Sequence, residues 1–300
     1  MLTRRGLIEG AAMQLGASKL RYEVWDVFTA KAFGGNPLGV FFYADGLSTD
    51  QMFALTREMN HSETTFVTRD GKVRIFTATQ ELAFAGHPVL GTAFALQRQT
   101  PGAKLVTVLV PQGPIPVRFE GGTAMMLQQK PEFRETHEAA VLAPMLGLKL
   151  DDLLEGYPLQ NVSTGRPNLI VMLKTMTAMK AVRFNWPALQ EYFAKGDVQR
   201  GVYLLTKDTL DKASLVHARK LTPRVEDPAT GSAAGCAAAY LAKYGIAGSG
   251  VRVSMEQGYL MGRPSELLLS AVKRSDGSVD EVQVGGSSVL VLEGTVNRLA

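Results

Sequence analysis

The sequence predicts an α+β protein of two related halves, in each of which many strands surround one central helix. The leading observation is a segment that occurs twice, as Glu81-Leu-Ala-Phe-Ala-Gly86-His87 and as Asp227-Pro-Ala-Thr-Gly231-Ser232. Each copy contains an acidic residue, a glycine turn and the start of a helix of small apolar residues. Runs of β-forming residues precede and follow both helices. A duplicated fold with two pseudo-symmetric halves is the simplest interpretation.

The first half begins with a strand from Leu20, where Arg-Tyr-Glu-Val-Trp-Asp-Val-Phe alternates and is rich in β-forming residues. A turn at Gly34-Gly-Asn-Pro37 leads to the next strand, and Ser48 is the predicted N-cap of a helix that ends at Asn60. Helix 87–99 is apolar on nearly every side, so we expect it to be buried all round. The other predicted strands of this half are 38–43, 63–68, 73–77, 106–110, 115–119 and 124–128.

The second half repeats this scheme more loosely around a predicted helix at 232–244. Segments 138–154 and 186–195 are typical of short surface helices. We predict a domain boundary at 130–136, where Pro131 and mixed charges interrupt the strands. The predicted division is an extension at 1–19, a first half at 20–132 and a second half at 133–300, whose last strand returns to the first half. The predicted strands are 158–163, 168–173, 201–206, 215–220, 251–256, 265–273, 279–285 and 289–293.

Composition excludes several function classes. The net charge of +4 is spread without a basic run, which argues against nucleic-acid binding. The one cysteine, Cys236, excludes disulfides and thiolate metal clusters within the chain, and the four histidines lack metal-ligand spacing, so we expect no metal site. No apolar run has membrane-spanning length, and we predict a cytoplasmic protein. We interpret residues 1–18 as an extension or leader rather than an export signal, despite Arg4-Arg5, with Met13 as an alternative start.

Motifs for bound cofactors are absent from the sequence. Neither glycine turn has the Lys-Ser/Thr ending of a phosphate-binding loop, and no dinucleotide fingerprint follows a strand. A nucleophile elbow is missing as well. Two kinds of function remain, which are acid/base chemistry without a cofactor and the binding of a small molecule without reaction.

Four polar side chains are candidates for that chemistry. Glu63 follows Asn60-His-Ser and precedes an apolar strand, where burial would raise its pKa toward neutrality and suit it to proton transfer; alternatively it is a surface carboxylate. His87 can shuttle a proton or donate to a carboxylate, or it is a capping or core histidine. Asp227 can orient an amine or act as a second acid/base, or it caps a helix. Ser232 can donate to substrate, act as N-cap, or do both.

The two helix openings are candidate anion sites. A helix that starts with Gly86-His87 or Gly231-Ser232 directs backbone N–H groups outward, where they attract a carboxylate. The two glycines permit either an unusual backbone conformation or the close approach of a ligand. We therefore expect a small carboxylate in a cleft between the halves.

Several segments in order resemble the PhzF-like family, named for the phenazine-biosynthesis isomerase. They begin with Asp26-Val-Phe-Thr and Gly35-Asn-Pro37, and the resemblance runs from about Tyr22 to about Gly294. The other matching segments are Asn60-His-Ser-Glu63-Thr-Thr-Phe-Val, Arg74-Ile-Phe-Thr77, Glu81-Leu-Ala-Phe-Ala-Gly86-His87-Pro, Glu226-Asp227-Pro-Ala-Thr-Gly231-Ser232-Ala-Ala-Gly235, Gln257-Gly258 and Gly262-Arg-Pro-Ser265.

The resemblance implies a diaminopimelate-epimerase-like fold, in which each half wraps a strongly curved sheet or barrel around its helix. It places the acid/base glutamate at Glu63, with catalytic support from His87 and Asp227 and a supporting serine at Ser232. It also implies substrate binding by Asn36, Gly86, Gly231, Ser232 and Ala233. No cofactor or metal takes part, and a homodimer is expected. The family's namesake moves a proton within trans-2,3-dihydro-3-hydroxyanthranilate.

One departure separates the chain from related racemases, which use two cysteines just before the helix glycines. Those positions are Ala85 and Thr230, so a two-thiol racemisation is excluded, and Cys236 is interpreted as a packing residue. Three functions stay open: an isomerase with Glu63 as proton carrier, a lyase or cyclase on a related small acid, and a non-catalytic carboxylate-binding protein.

Overall fold

A computed structural model describes residues 19–194, 201–223 and 225–297 of the protein. Residues 1–18, which carry the predicted extension with Met13, lie outside the described residues. The first elements in chain order are β1 (Lys19–Val27), β2 (Asn36–Phe42), α1 (Thr49–Met59), β3 (Glu63–Val67), β4 (Val73–Phe76), β5 (Glu81–Leu82), α2 (Gly86–Gln99), β6 (Leu105–Val110), β7 (Gly113–Glu120) and β8 (Thr123–Leu127).

The later elements are β9 (Glu132–His137), α3 (Ala139–Met145), β10 (Leu159–Ser163), β11 (Pro167–Leu173), α4 (Met176–Ala181), α5 (Trp186–Ala194), β12 (Val202–Thr206), β13 (Val216–Leu221), β14 (Glu226–Asp227), α6 (Gly231–Lys243), β15 (Val253–Gln257), β16 (Ser265–Lys273), β17 (Val279–Gly286) and β18 (Ser288–Asn297). Single 3₁₀ turns occur at Leu150–Asp152 and Tyr259–Met261. Every helix within the described ranges is too short or too polar to pass through a lipid bilayer.

The described residues form two compact units. The first unit contains residues 19–33, Pro37–Met126 and 287–297, and the second contains Gly34–Asn36 with the described part of Leu127–Gly286. The division into an extension at 1–19, a first half at 20–132 and a second half at 133–300 stays a prediction.

The first unit is built around α2. One sheet has the strand order β18-β1-β2-β3-β4-β5, with β1 and β18 antiparallel and β2 and β3 parallel, while β6, β7 and β8 form an antiparallel meander. Helix α2 contacts β1 and β3 of the sheet and β6 and β7 of the meander. Its residues from Gly86 to Ala95 are all buried, which confirms the prediction of a helix enclosed on every side.

Small residues let α2 approach the sheet closely. A Cβ atom added at Gly91 would lie 2.6 Å from Leu38 Cδ2 and 2.7 Å from Val27 Cγ2. Because real Cβ atoms do not approach neighbours so closely in a close-packed interior, any larger residue would push α2 away from β1 and β2. Packing, rather than helix propensity, therefore explains the glycine within this helix.

The second unit wraps one sheet around α6. The strand order is β17-β16-β15-β13-β12-β11-β10-β9, and β14 pairs with β13. Helix α6 contacts β16 and β17 near one end of this order and β10 and β11 near the other. A sheet whose distant strands meet the same helix must curve around it. The expectation of a curved sheet around a central helix is confirmed here.

One segment differs from the sequence-based expectation. Residues 130–136, expected to interrupt the strands, contain most of β9, which pairs antiparallel with β10. This strand lies at the end of the sheet order, where the exposed charged residues Glu132 and Glu135 protect the edge. Mixed charge here marks an edge strand. The elements β5, β14 and α4 were not expected, because they are too short to give a periodic signal.

Helix α1 follows the local prediction closely. Ser48 is its N-cap, and the Ser48 side chain accepts a hydrogen bond from the Gln51 N–H while the Gln51 side chain accepts one from the Ser48 N–H. Asn60 closes the helix in the left-handed conformation, with φ of 53°. This helix packs against β3 and β4 through Met52 and Leu55, and so supports the strand that begins at Glu63.

Candidate functional site

Glu63 and His87 lie side by side in the first unit. Glu63 is the first residue of β3, and His87 is in the first turn of α2. His87 Nε2 is 3.7 Å from Glu63 Oε2, and their side chains are 6% and 19% exposed. This distance is longer than a hydrogen bond. A carboxylate and an imidazole this close need only a small approach to form a hydrogen bond and to share one proton through it.

The fold of the segment between Glu63 and His87 brings these two residues together. Strands β3 and β4 form an antiparallel pair, β5 follows, and the chain then enters α2 beside β3. A buried hydrogen bond of 2.9 Å joins the hydroxyl groups of Thr65 and Thr92. Because this bond connects β3 to α2 close to both side chains, it restricts sliding of the helix along the strand.

The helix openings at Gly86 and Gly231 place backbone N–H groups at the start of α2 and α6. The first intrahelical bonds run from Val89 N to Ala85 O and from Ala234 N to Thr230 O. The N–H groups before them precede the helical ladder and point outward. In α2 these belong to Gly86 and His87, since Pro88 has none, and in α6 to Gly231, Ser232 and Ala233.

The capping alternatives are not supported. The N-cap residues are Ala85 and Thr230, neither of which makes a side-chain capping bond. His87 and Ser232 therefore lie within the first helical turns instead of capping them. Gly86 and Gly231 have helical backbones, so neither glycine is needed for an unusual backbone conformation. Their other expected role, the close approach of a ligand, stays a prediction.

Asp227 is half-buried at the end of β14, and both of its carboxylate oxygens accept hydrogen bonds. Asn36 Nδ2 donates to Asp227 Oδ1 at 2.7 Å, and Thr230 Oγ1 donates to Oδ2 at 2.6 Å. The same Asn36 nitrogen donates to the carbonyl oxygen of Ala229 at 2.8 Å. Because an amide nitrogen has two hydrogens, these bonds fix the orientation of Asn36. Asn36 therefore supports the Asp227 turn.

Gln257 is a supporting residue that we did not single out from the sequence, although Gln257-Gly258 is among the matching segments. Its side chain is fully buried. Oε1 accepts from the Tyr203 hydroxyl at 2.6 Å and from Thr230 N at 3.3 Å, while Nε2 donates to Asp227 O at 2.7 Å and to Thr230 Oγ1 at 3.1 Å. A buried side chain with all these bonds holds the turn before α6 rigidly.

Residues 258–265 hold the same turn from another side. Ser265 Oγ donates to Pro228 O at 2.9 Å, and Arg263 Nε donates to Gly35 O at 2.8 Å. Gly258 has φ of 78°, and a Cβ atom there would lie 2.7 Å from Pro228 O. The motif Gly262-Arg-Pro-Ser265, which the sequence alone did not explain, therefore serves to place Asp227 and the residue before β2.

Cys236 is buried within α6 and its surroundings support a packing role. Its Sγ donates weakly to the carbonyl oxygens of Ser232 and Arg166, both at 3.4 Å. Burial raises the pKa of the thiol. Because the thiolate is the reactive form, the native thiol should be inert.

We expect Cys236 to resist alkylation in the folded protein and to react only on unfolding. Iodoacetamide labelling followed by mass spectrometry, with and without denaturant, measures this difference. Labelling of the native protein at the rate of a free thiol would contradict the packing assignment.

The structure brings the candidate residues into two groups. Glu63, Gly86 and His87 lie together in the first unit, and Asn36, Asp227 and the opening of α6 lie together in the second. Across the described ranges, no three His, Cys, Asp or Glu side chains form a group that could hold a metal ion.

Comparison with known proteins identifies relatives along nearly the whole chain. The family described as phenazine biosynthesis-like protein matches residues 25–294. The trans-2,3-dihydro-3-hydroxyanthranilate isomerase of Pseudomonas aeruginosa is 33% identical, with 91% of this chain and 98% of the relative covered. Several other curated relatives have the name isomerase.

Solved structures show the same fold. A predicted epimerase from Pseudomonas aeruginosa has 35% identity and a TM-score of 0.77, covering 92% of this chain and 98% of its own. A PhzF-family phenazine biosynthesis protein from Bacillus anthracis has 25% identity and a TM-score of 0.82, covering 93% and 99%. At 11% identity, the hydroxyproline epimerase of Agrobacterium vitis has a TM-score of 0.56, which concerns the fold alone. The predicted diaminopimelate-epimerase-like fold is confirmed.

Proposed function

The chain belongs to the phenazine biosynthesis-like family and is an enzyme of the isomerase class, and we propose that it moves a proton within a small cyclic or amino-acid carboxylate. Glu63 carries the proton in this proposal. The observation that supports it most is the approach of the Glu63 carboxylate to His87 Nε2, at 3.7 Å in a largely buried setting. A base and a second proton-holding group suit the removal of a proton at one atom and its return at another.

The steps follow from the residues. Glu63 accepts a proton from a carbon of the substrate, and the electron pair of that C–H bond shifts into the adjacent π system. The protonated Glu63 then delivers the proton to another carbon, so the glutamate is regenerated and no redox change occurs. His87 donates a hydrogen bond that stabilises the charge on Glu63 or on the substrate. No cofactor or metal is required for this sequence of steps.

Binding is assigned to the helix openings and the Asp227 turn. The first N–H groups of α2 and α6 favour a carboxylate, and the fixed Asp227 carboxylate suits an amino or hydroxyl group of the substrate. The candidate substrate is trans-2,3-dihydro-3-hydroxyanthranilate, which the name of the Pseudomonas aeruginosa relative specifies and which has these groups. Homodimer formation and a cytoplasmic location stay predictions; light scattering of the purified protein tests the first.

Product analysis tests the proposal against the lyase alternative. The protein is incubated with trans-2,3-dihydro-3-hydroxyanthranilate and the product is examined by mass spectrometry. An isomerase gives a product of unchanged mass, whereas loss of water would identify a lyase. Binding without turnover of this and related small acids would favour a non-catalytic carboxylate-binding protein.

We expect His87→Ala and Asp227→Ala to lower kcat/KM about 10- to 100-fold each, because both residues orient the reacting groups. Steady-state kinetics measures the change, and Asp151→Ala, at an exposed residue, is the matched control. Circular dichroism verifies that the variants fold. Unchanged kinetics in both variants would show that the two residues only support the structure.

A further inference from the structure

Lys220 is a buried lysine that the proposed chemistry does not use. It lies near the end of β13 with 7% of its surface exposed, and its Nζ donates a hydrogen bond to Asn168 Oδ1. A Cβ atom at Gly201 would lie 2.3 Å from this Nζ. A glycine therefore leaves the space that the ammonium occupies. Burial of a charge is costly unless it is compensated, so the charge of Lys220 depends on the charged groups around it.

The surroundings of Lys220 link it to the Asp227 turn. In the strand register, Lys220 lies opposite Asp227 of β14 and opposite Tyr203 of β12. Burial lowers the pKa of Lys220 to about 8, and the Arg166 guanidinium acts in the same direction. The Asp227 carboxylate favours the ammonium but is outweighed by burial. Burial also raises the pKa of Tyr203 well above its usual value, so this neighbour stays neutral.

The hydrogen bonds continue from Lys220 to the start of α6. Asn168 accepts from Lys220 through Oδ1 and donates through Nδ2 to Cys236 Sγ at 3.7 Å. Cys236 in turn contacts the carbonyl oxygen of Ser232 at 3.4 Å. The ammonium is therefore connected both to the Asp227 strand and to the first turn of α6, all within the second unit.

We propose that Lys220 is a positioning residue that acts through Asp227 and the opening of α6. Its buried ammonium compensates the negative charge of the Asp227 carboxylate, so that the adjacent opening of α6 remains attractive to a substrate carboxylate. Lys220 does not touch the substrate. The inference rests on the proposed function, in which an anionic substrate binds at the opening of α6 beside the Asp227 turn.

A pH dependence follows from the charge of Lys220. The ammonium is present below about pH 8 and is lost above it. Loss of one positive charge behind Asp227 weakens the attraction for an anion, so KM rises as the pH passes through this range. The chemical step depends less on this charge, so kcat changes less than KM. A purely structural lysine would give no such separation.

The kinetic test compares wild type with Lys220→Met, which has a side chain of similar length without the charge. At a pH where wild-type Lys220 is protonated, we expect KM to be on the order of tenfold higher in Lys220→Met, from the interaction of one buried charge with an anion. The alkaline rise of KM should be absent from the variant. Lys207→Met removes an exposed lysine and is the matched control. An alkaline KM profile in Lys220→Met that equals that of wild type overturns the proposal.

A second measurement does not require activity. The titration of the Lys220 side chain is followed by carbon-13 NMR at Cε, with the resonance identified by its loss in Lys220→Met. We expect Asp227→Asn to lower the titration midpoint of Lys220, because the carboxylate favours the ammonium form. A midpoint that Asp227→Asn leaves unchanged overturns the coupling. If wild type does not convert the substrate, the proposed function fails alone, and this titration still decides whether Lys220 and Asp227 are coupled.

Discussion

Glu63→Gln is expected to keep the fold and to lower kcat by about 10²–10⁴-fold, because loss of a general acid/base has effects of this size. The amide has nearly the shape of the carboxylate, and Glu63 begins β3 with its side chain 19% exposed, so the change is accommodated locally. The amide cannot accept the substrate proton. Binding relies on other groups, so KM should change much less than kcat. Steady-state kinetics with trans-2,3-dihydro-3-hydroxyanthranilate measures both constants.

Glu58→Gln is the control for this experiment. Glu58 is an exposed glutamate of α1 a few residues before Glu63, and the same chemical change there should leave kcat unchanged. Full activity of Glu63→Gln would refute its assignment as proton carrier. A loss confined to KM would instead make Glu63 a binding residue.

Gly258→Ala is expected to destabilise the protein strongly and to reduce turnover. Gly258 has φ of 78°, and a Cβ atom would lie 2.3 Å from Arg263 O and 2.7 Å from Pro228 O. Both neighbours are backbone atoms, so relief requires a shift of the turn that holds Asp227. The left-handed conformation costs about 1–2 kcal/mol for alanine, and overpacking adds about 1–3 kcal/mol. We therefore expect the free energy of unfolding to fall by about 2–5 kcal/mol.

Gly262→Ala separates the two costs. Gly262 has nearly the same backbone conformation, with φ of 77°, but no atom lies within 4 Å of an added Cβ. Only the conformational cost of about 1–2 kcal/mol applies there. Denaturant unfolding of both variants measures the difference. Equal destabilisation would show that the contact with the Asp227 turn has no energetic role, and unchanged kcat/KM in Gly258→Ala would show that the turn does not position the reaction.

Local signals in the sequence predicted the elements with strong short-range features. Helix α1 has its cap and its apolar face in one segment, and α2 is apolar on every side. The strand β9 was not recognised, because charged edge strands lack the alternation of buried ones. The residue pattern therefore predicts helices and strands whose side chains are buried along their length. It does not predict an edge strand that depends on pairing with one neighbouring strand.

The sequence indicated most residues of the candidate site but not the contacts between them. The duplicated motif indicated Gly86, His87, Asp227 and Ser232, but the bond from Asn36 to Asp227 joins residues 191 positions apart. No periodic pattern encodes such a contact. Lys220 ends an ordinary strand pattern, and its burial depends on Gly201 and Asn168, which lie on other segments. These contacts arise from tertiary packing.

Deuterium incorporation tests the role of Glu63 most directly. Wild type and Glu63→Gln are incubated with trans-2,3-dihydro-3-hydroxyanthranilate in deuterated water, and the label is located by NMR and mass spectrometry. A proton carried by Glu63 predicts that wild type forms product, with deuterium at the newly protonated carbon in the fraction of turnovers in which the protonated Glu63 exchanges with solvent before delivery. It predicts neither product nor exchange with Glu63→Gln. Product formation or deuterium incorporation by the variant at the wild-type rate, or no product and no exchange with wild type, would contradict this role of Glu63.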